Sequence, residues 1–266
     1  MITSDANNLP NKPPLKWAGG KRWLVPYLLP YWEENKHLRL VEPLCGGLAI
    51  TLGLMPKSAL LNDINPHLIN FYKHLKQGLT ITIDLANDKD LFYHHRTWFN
   101  ELIKTNQSDS TTAAELFYFL NRTCYNGLCR FNSKGLFNTP FGKYATINYR
   151  RDFLQFRDVF ENWEFSQGSF EDVQIQDDDF IYADPPYDVE FTHYSKDGFT
   201  WSDQENLASW LAKHKGKVIL SNQKTERIVS LYKALGFKII ELNAPRMINC
   251  TGDRTRAQEV LALKGF

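Results

Sequence analysis

The chain has 266 residues, of which 43% are hydrophobic and 23% are charged. This length and composition predict a globular protein with one large domain, or with one domain that carries a smaller insertion. The formal net charge is only +1, which excludes a chain that is basic throughout. A surface that binds nucleic acid would therefore have to come from a local cluster of basic residues.

The four cysteines do not form a zinc-binding pattern. No two of them form a CxxC pair and no histidine is spaced to complete a site, so we expect no metal and reduced thiols in a cytoplasmic protein. The first residues lack the charged and apolar regions of a signal peptide. No apolar run is long enough to span a membrane.

In chain order, residues 1–14 are polar and end in two prolines, which predicts a flexible arm. Beyond the arm, short apolar runs alternate with segments of helical pattern, an order typical of an α/β protein with a largely parallel sheet. The predicted strands are residues 38–42, 59–63, 180–184, 217–221, 237–242 and 259–263. The predicted helices between some of them lie near residues 47–55, 203–213 and 224–235.

The alternation breaks in the middle of the chain. Helical patterns at residues 66–77, 91–105 and 112–122 precede a loop rich in glycine, asparagine and basic residues. We predict that residues 66–150 form an inserted helical domain, and that residues 15–65 and 151–266 form the catalytic α/β domain. No acidic residue occurs between positions 122 and 151, where the basic residues are Arg122, Arg130, Lys134, Lys143, Arg150 and Arg151.

Two glycine-bearing loops lie near the first predicted strands, at residues 16–21 and 42–47. A glycine after a strand lets the backbone approach a ligand closely, and a following helix N-terminus adds partial positive charge. Asp63 ends the next strand, where a carboxylate can accept hydrogen bonds from ribose hydroxyls. Each piece alone is usually only a turn or a helix cap. Their order favours a nucleoside-bearing cofactor, and the lack of a full GxGxxG makes a single nucleoside the better interpretation than a dinucleotide.

The sharpest signal is Asp184-Pro185-Pro186-Tyr187, directly after an apolar strand. Prolines cannot continue a central strand, so the chain must turn at the carboxyl end of the sheet, where α/β proteins bind ligands. The turn offers the carboxylate of Asp184, the carbonyl of Pro185 and the flat ring of Tyr187. On its own the tetrapeptide could equally be a plain turn, but its position downstream of both glycine loops favours a function.

This set of groups suits the exocyclic amine of a nucleic-acid base. The lone pair of such an amine is delocalised into the ring, and two acceptors on its hydrogens can draw the nitrogen towards tetrahedral geometry. An aromatic ring can stack a base that has been extruded from the duplex. For a methyl group to be transferred to such a poor nucleophile, the donor must be a strong electrophile, and a sulfonium provides this without a metal. The rest of catalysis is the alignment of nitrogen, methyl group and sulfur.

With these motifs in this order, the sequence resembles the Dam-type DNA adenine-N6 methyltransferases over nearly the whole stretch from residue 15 to residue 263. The resemblance implies a Rossmann-like methyltransferase sheet with an inserted helical target-recognition domain. It also implies that S-adenosylmethionine is the cofactor and that adenine is methylated in duplex DNA by base flipping, within GATC. The segments that carry the resemblance are residues 16–21, 41–47, 61–65, 125–144 and 184–187.

The resemblance further implies roles for individual residues. Asp184 to Tyr187, with Pro185 and Pro186 between them, would hold the flipped adenine. The S-adenosylmethionine site would be lined by Trp17, Lys21, Gly46, Gly47, Asp63 and Asp184.

The basic loop of the insertion carries the predicted base contacts. Arg130 can present two donors to O6 and N7 of guanine, and Leu128 and Pro140 offer apolar contact to a thymine methyl. The remaining basic side chains of this loop are expected to contact phosphate or solvent. Three aromatic residues are expected to form the small core of the recognition domain: Phe131, Phe137 and Phe141.

Four more residues complete the predicted DNA contacts. Tyr125 and Asn126 can wedge into the base stack or fill the gap left by a flipped base. By resemblance, Lys16 matches a lysine that contacts the first guanine, and Tyr144 belongs to the same recognition set.

Two alternative functions remain open at this point. The same acceptors suit cytosine-N4 methylation, although those enzymes more often carry serine at the position of Asp184. A catalytically silent DNA-binding module is the other. The biological role is open between restriction–modification, mismatch repair, regulation of genes and phage self-protection. We expect a monomer, and residues 246–254 are either a basic hairpin near DNA or an ordinary surface loop.

Overall fold

A computed structural model of the chain describes residues 12–188, 199–244 and 257–266. The chain divides into two compact units. The first unit comprises the described residues of 1–22, 46–55 and 63–168, and the second unit those of 23–45, 56–62 and 169–266. The predicted arm up to residue 11 and the whole of segment 246–254 lie outside the described residues. The domain boundaries given above stay a prediction.

The elements alternate in the order expected from the sequence. The helices are α1 (Val25–Glu33), α2 (Thr51–Leu54), α3 (Pro66–Lys76), α4 (Lys89–Lys104), α5 (Thr111–Thr123), α6 (Leu154–Val159), α7 (Trp201–Lys213) and α8 (Glu226–Ala234). The strands are β1 (Leu40–Glu42), β2 (Ala59–Asp63), β3 (Trp163–Gln167), β4 (Phe180–Ala183), β5 (Lys217–Gln223), β6 (Lys238–Ala244) and β7 (Ala257–Lys264). Each predicted strand and helix range coincides with one of these, whereas no range was predicted for α1, α6 or β3. Across the described ranges, the structure contains no helix that is both long and apolar enough to cross a membrane.

Six strands lie wholly or mainly in the second unit, where they form a mixed sheet in the order β2-β1-β4-β5-β7-β6. β3 belongs to the first unit. β1 pairs in parallel with β2 and β4, and β4 pairs in parallel with β5. β7 runs antiparallel to both β5 and β6. The predicted Rossmann-like α/β fold is confirmed, but the sheet is less parallel than expected because β7 is inserted between β5 and β6.

Both faces of the sheet in the second unit are buried. Ile181 of β4 and Val218 of β5 belong to a core that also contains side chains of α7 and α8. Phe180 lies on the opposite face, where the ring of Trp32 from α1 meets it edge-on at a centroid distance of 5.2 Å. Tyr182 shares that face with Phe180, because side chains two positions apart on a strand point the same way. With both faces covered, the carboxyl ends of the strands remain as the place for a ligand.

The first unit has an aromatic core between its helices. Phe71 of α3 stacks on Tyr118 of α5 at a centroid distance of 5.9 Å, and Phe99 of α4 packs against Phe117 of α5 at 6.2 Å. The side chain of Phe137 is also buried, as expected for a core residue. The other two aromatic residues of that expected set, at positions 131 and 141, are half-buried.

Candidate active site

The predicted site residues fall into two sets, one in each unit. Asp184 and the three residues that follow it belong to the second unit. All other predicted cofactor and DNA contacts belong to the first unit.

Asp184 is the first residue beyond β4 and is half-buried. The parallel pairing of Ala183 with Leu220 brings the following residue of β5, Ser221, next to it. The Ser221 hydroxyl donates a hydrogen bond to Oδ1 of Asp184 at 2.8 Å. The position of the carboxylate is therefore set in part by the neighbouring strand.

Tyr182 extends this contact into the protein. Its hydroxyl lies 2.9 Å from Oγ of Ser221, and both side chains are buried. Burial, together with the nearby charge of Asp184, raises the pKa of Tyr182 well above its ordinary value. The phenol thus stays protonated and can act as a donor.

A second group of buried polar side chains holds the turn after Asp184. Nε2 of Gln204, on α7, donates to the Pro186 carbonyl at 2.7 Å. Nδ2 of Asn222 donates to Oε1 of Gln204 at 3.0 Å and to the hydroxyl of Tyr232 at 2.9 Å. The structure therefore uses the carbonyl of Pro186 inside the protein, whereas the acceptor predicted for the substrate is that of Pro185, one residue earlier.

Tyr187, the last residue of the Asp-Pro-Pro-Tyr motif, is hydrogen-bonded to β7, the strand that runs antiparallel to its neighbours. The hydroxyl of Tyr187 donates to Oε1 of Glu259 on β7, and Glu259 is buried. Burial, with this hydrogen bond, raises the pKa of Tyr187 far above its usual range. The next residue, Asp188, pairs with Arg227, whose guanidinium lies 4.5 Å from the ring centroid of Trp201.

In the first unit, Trp17 lies against the two glycines of the second glycine loop. A Cβ at Gly46 would lie 2.9 Å from Nε1 of Trp17, and one at Gly47 would lie 2.7 Å from its Cβ. Gly46 also has a φ of +45°, a backbone conformation that favours glycine. The glycines were expected to admit a ligand; in the structure, the group that approaches them is Trp17, itself a predicted cofactor residue.

Asp63 is bonded to the same loop. Its Oδ2 accepts a hydrogen bond from the backbone N–H of Gly46 at 3.0 Å, and its Oδ1 accepts one from that of Asn65 at 2.9 Å. Burial raises the pKa of Asp63, although these backbone donors act in the opposite direction. The cap of α3 is Asn65, so the interpretation of Asp63 as a mere helix cap is wrong. The hydroxyl of Tyr72 also fixes the loop, since it donates to the Gly46 carbonyl at 2.6 Å.

Lys21, the remaining predicted cofactor residue of the first unit, is buried with only 5% of its surface exposed. Its Nζ lies 3.5 Å from the Gly19 carbonyl. A buried ammonium requires polar or anionic partners.

Two of the predicted DNA contacts touch each other. Nζ of Lys16 lies 3.4 Å from the ring centroid of Tyr144 and donates to the Arg122 carbonyl at 3.0 Å. Burial and the nearby charge of Arg122 lower the pKa of Lys16. The backbone of Lys16 is fixed by Asn121, whose side chain accepts from its N–H at 2.9 Å and donates to its carbonyl at 2.7 Å.

Tyr125 and Asn126 lie on a short 3-10 turn, Tyr125–Gly127, that follows α5. Both side chains are exposed, and Asn126 has a φ of +52°. A Cβ at Gly127 would lie 2.5 Å from Cβ of Lys16. The turn thus packs on Lys16 and leaves its first two side chains accessible.

The residues predicted to read bases lie on two segments that Thr139 holds together. Its hydroxyl donates to the Leu128 carbonyl at 2.6 Å, and its Oγ1 accepts from the backbone N–H of Arg130 at 3.1 Å. Arg130 and Pro140 are exposed, and Leu128 is half-buried. The structure therefore brings these three residues into one local cluster.

The cysteines of the described residues are free thiols, at positions 45, 124 and 129. Burial raises the pKa of Cys124 to about 12 and that of Cys129 to about 11, so both are protonated at neutral pH. Within the described ranges, no group of three or more His, Cys, Asp or Glu side chains is placed to hold a metal ion.

Sequence reasoning missed the buried polar side chains that hold the Asp184 turn. Ser221 did have a signal, since it ends the predicted strand 217–221, where polar residues are expected to carry chemistry. Gln204 and Glu259 had none, because their partners lie 18 and 72 residues away along the chain.

Comparison with known proteins identifies the family. The family model for D12 class N6 adenine-specific DNA methyltransferases matches residues 17–248. The chain belongs to this family. It is therefore an enzyme of adenine-specific DNA methylation, and the predicted resemblance to the Dam-type enzymes is confirmed.

Relatives of this methyltransferase span almost the whole chain. It is 35% identical to the retron Ec67 DNA adenine methylase of Escherichia coli, over 94% of this chain and 90% of that protein. It is 35% identical to a DNA adenine methylase of Vibrio cholerae, over 94% of both. It is 33% identical to a type II methyltransferase of Methanocaldococcus jannaschii, over 92% of this chain and 95% of that protein. These findings do not favour cytosine-N4 methylation or a silent binding module.

Proposed function

We propose that this methyltransferase takes its methyl group from S-adenosylmethionine and adds it to N6 of an adenine flipped out of duplex DNA, within GATC. The observation that carries the proposal is the placement of Asp184. Its half-buried carboxylate follows directly after β4, receives a hydrogen bond from Ser221 and precedes two prolines and Tyr187. Ligands of α/β sheets bind at such strand ends, and an acceptor there suits an amine.

In this proposal the turn binds and polarises the amine. Asp184 accepts one N6 hydrogen and the Pro185 carbonyl accepts the other, which localises the nitrogen lone pair. When bound, S-adenosylmethionine supplies an electrophilic methyl group. Asp184 is placed to receive the proton that N6 must lose once it has been methylated. Tyr187 stacks on the adenine, and its bond to Glu259 fixes the rotation of the ring.

The predicted cofactor residues of the first unit suit the parts of S-adenosylmethionine, which is a nucleoside joined to an amino acid. The carboxylate of Asp63 is held by two backbone donors, and each of its oxygens has a further lone pair for a ribose hydroxyl. The buried ammonium of Lys21 suits a carboxylate, and the indole of Trp17 offers an aromatic face beside Gly46 and Gly47. We propose that these five residues hold the cofactor.

DNA reading is proposed for the exposed residues of the basic loop. Arg130 would bind a guanine, and Leu128 and Pro140 would contact a thymine methyl. Tyr125 and Asn126, exposed on their turn, would enter the base stack.

Lys16 would bind the first guanine beside Tyr144. Its ammonium has three donors and the Arg122 carbonyl takes one of them, so it can bind a base acceptor without giving up that bond.

Expression in a methylation-deficient bacterial host tests product and target together. We expect host DNA to resist a GATC endonuclease that adenine methylation blocks, and nucleoside mass spectrometry to detect N6-methyladenine. Asp184→Ala, checked for folding by circular dichroism, should leave the DNA unmethylated while DNA binding survives. N6-methyladenine outside GATC would contradict the target, and methyl transfer by the folded Asp184→Ala variant would contradict the role of the turn.

The cofactor and the organisation of the chain are tested separately. Calorimetry should detect binding of S-adenosylmethionine to the full chain, and no heat of binding would contradict the proposed donor. We further propose that residues 66–150 form the recognition domain and that the enzyme acts as a monomer. Light scattering coupled to size-exclusion chromatography measures the mass directly, and a dimer mass would contradict that proposal.

A further inference from the structure

We propose that Tyr182 and Ser221 form a one-directional hydrogen-bond chain that orients the Asp184 carboxylate and keeps it ionised for methyl transfer. Both would be positioning residues, since they act through Asp184. The inference rests on the proposed role of Asp184 in binding the adenine amine.

The direction of the chain follows from counting hydrogens. Oγ of Ser221 lies 2.8 Å from Oδ1 of Asp184, 2.9 Å from the Tyr182 hydroxyl and 3.4 Å from the Ala183 carbonyl. Ser221 has one hydrogen, and carboxylates and carbonyls only accept. Tyr182 therefore donates to Ser221, and Ser221 donates to the nearest and charged acceptor, Asp184.

Burial makes these bonds hard to replace. Tyr182 is 1% exposed and Ser221 is 0% exposed, so water has no access to compensate for a lost hydroxyl. In such surroundings each hydrogen bond is stronger than in water, and a donor to a charged group contributes most.

The titratable groups around the chain include phenols and carboxylates. Tyr187 and Tyr232 also interact electrostatically with Asp184, as Tyr182 does. Behind these phenols lie three more carboxylates. Glu42 lies near Tyr182, Glu259 is hydrogen-bonded to Tyr187, and Asp188 lies near Tyr232. Asp188 is paired with Arg227.

Like charges favour protonation of a carboxyl group, whereas a hydrogen bond to its charged form opposes it. The hydroxyl of Ser221 donates to the charged form of Asp184 and therefore favours that form. A protonated Asp184 would present a donor on one oxygen and would be a poorer acceptor for the adenine amine.

Single-turnover methylation of a GATC duplex by the full chain, followed across pH, tests the inference. For Ser221→Ala we expect the acid limb of the rate profile to move up by about one pH unit and the maximal rate to fall about 10-fold. Tyr182→Phe should move the limb in the same direction but less, since the Ser221 hydroxyl can still reach Asp184 or turn to the Ala183 carbonyl. The dissociation constant for DNA should change little in both variants.

Ile219→Val is the matched control. Ile219 is buried on the same strand, pairs with Tyr182 and shares its face of the sheet, so this change loosens packing without removing a donor. It should lower the melting temperature without moving the acid limb. Tyr182→Phe keeps the test available if Ser221→Ala does not fold.

The outcomes separate the two proposals. The positioning chain is overturned if the acid limb does not move in either hydroxyl variant, or if it moves equally in Ile219→Val. In that case, loss of activity in Asp184→Ala still leaves the proposed function intact. Full activity in Asp184→Ala overturns both. A limb that moves in the hydroxyl variants alone supports the chain.

Discussion

Trp17 lies so close to Gly47 that a Cβ at position 47 would stand 2.7 Å from the Trp17 Cβ. Real side chains essentially never approach to that distance, and Cβ atoms cannot rotate away because they are fixed by the backbone. The position of Trp17 therefore requires a glycine at 47, and both residues belong to the proposed cofactor site.

Gly47→Ala should displace Trp17 and weaken binding of S-adenosylmethionine. Overpacking of this kind costs about 1–3 kcal/mol, so we expect an affinity loss of about 10-fold or more by calorimetry and a lower melting temperature. Gly20→Ala is the control, since a Cβ there meets nothing closer than 3.6 Å and the backbone has no positive φ. Equal affinity in the two variants would mean that Trp17 does not shape the cofactor site.

Gln204→Glu tests the hydrogen bond from Gln204 that fixes the turn after Asp184. It keeps the size of the side chain but places an acceptor, instead of the Nε2 donor, against the Pro186 carbonyl. Gln204 is buried, and a buried side chain that loses its hydrogen-bond partner costs about 1–3 kcal/mol. We expect a lower kcat with little change in DNA affinity, measured in steady-state assays. A kcat equal to that of the natural chain would show that the turn does not need this bond.

Arg130→Ala tests base reading by the basic loop. The side chain is exposed, so the change should not affect folding. If Arg130 donates two hydrogen bonds to one guanine, its loss should reduce the discrimination between the correct and the wrong base pair at that position by about 1–3 kcal/mol. Binding to duplexes substituted at single base pairs measures this. Lys134→Ala removes another exposed cation of the loop and should weaken binding to all duplexes alike. Unchanged discrimination in Arg130→Ala would place that side chain on phosphate.

His67 predicts a pH dependence of stability. It is 7% exposed, its ring stacks on Phe131 at a centroid distance of 4.9 Å, and burial lowers its pKa from 6.5 to about 4. Below pH 6.5 the unfolded chain takes up a proton that the folded chain accepts only near pH 4. The free energy of unfolding should therefore fall by up to about 3 kcal/mol as the pH drops through this window.

His67→Phe keeps the aromatic packing and removes the titration. In urea unfolding between pH 7 and pH 4, the variant should lose less stability than the natural chain. Some pH dependence should remain, because burial also lowers the pKa of His95. Identical losses in both chains would contradict the prediction.

The strand ends were predictable because burial and chemistry coincide there. Asp184 directly follows a continuous apolar run and Asp63 closes a mainly apolar one. The structure places Asp63 at the end of β2 and Asp184 directly after β4. β3 was missed because only Trp163 of its five residues is buried, so it lacks such a run. α6 has six residues, too few for a helical period to stand out.

What could not be predicted is the network behind the motif. Gln204 and Glu259 meet the Asp184 turn across the fold, and pairings over long stretches of chain leave no local pattern. Ser221 ends a predicted strand, but its bond to Asp184 depends on the pairing of β4 with β5. The role of Trp17 was only half predictable. Its place beside the cofactor loop was expected, but the fact that its own ring fills the space next to the glycines depends on a tertiary contact.

β6 comes before β7 along the chain, yet its place in the sheet is beyond β7, to which its hydrogen bonds run. During synthesis on the ribosome, β6 thus emerges with no strand to join and must wait for β7. The same late strand brings Glu259 to the hydroxyl of Tyr187. A nascent chain that stops short of β7 would accordingly carry the whole Asp-Pro-Pro-Tyr motif and still lack the partner that sets its aromatic ring, so methylation competence should arrive with this strand rather than with the motif.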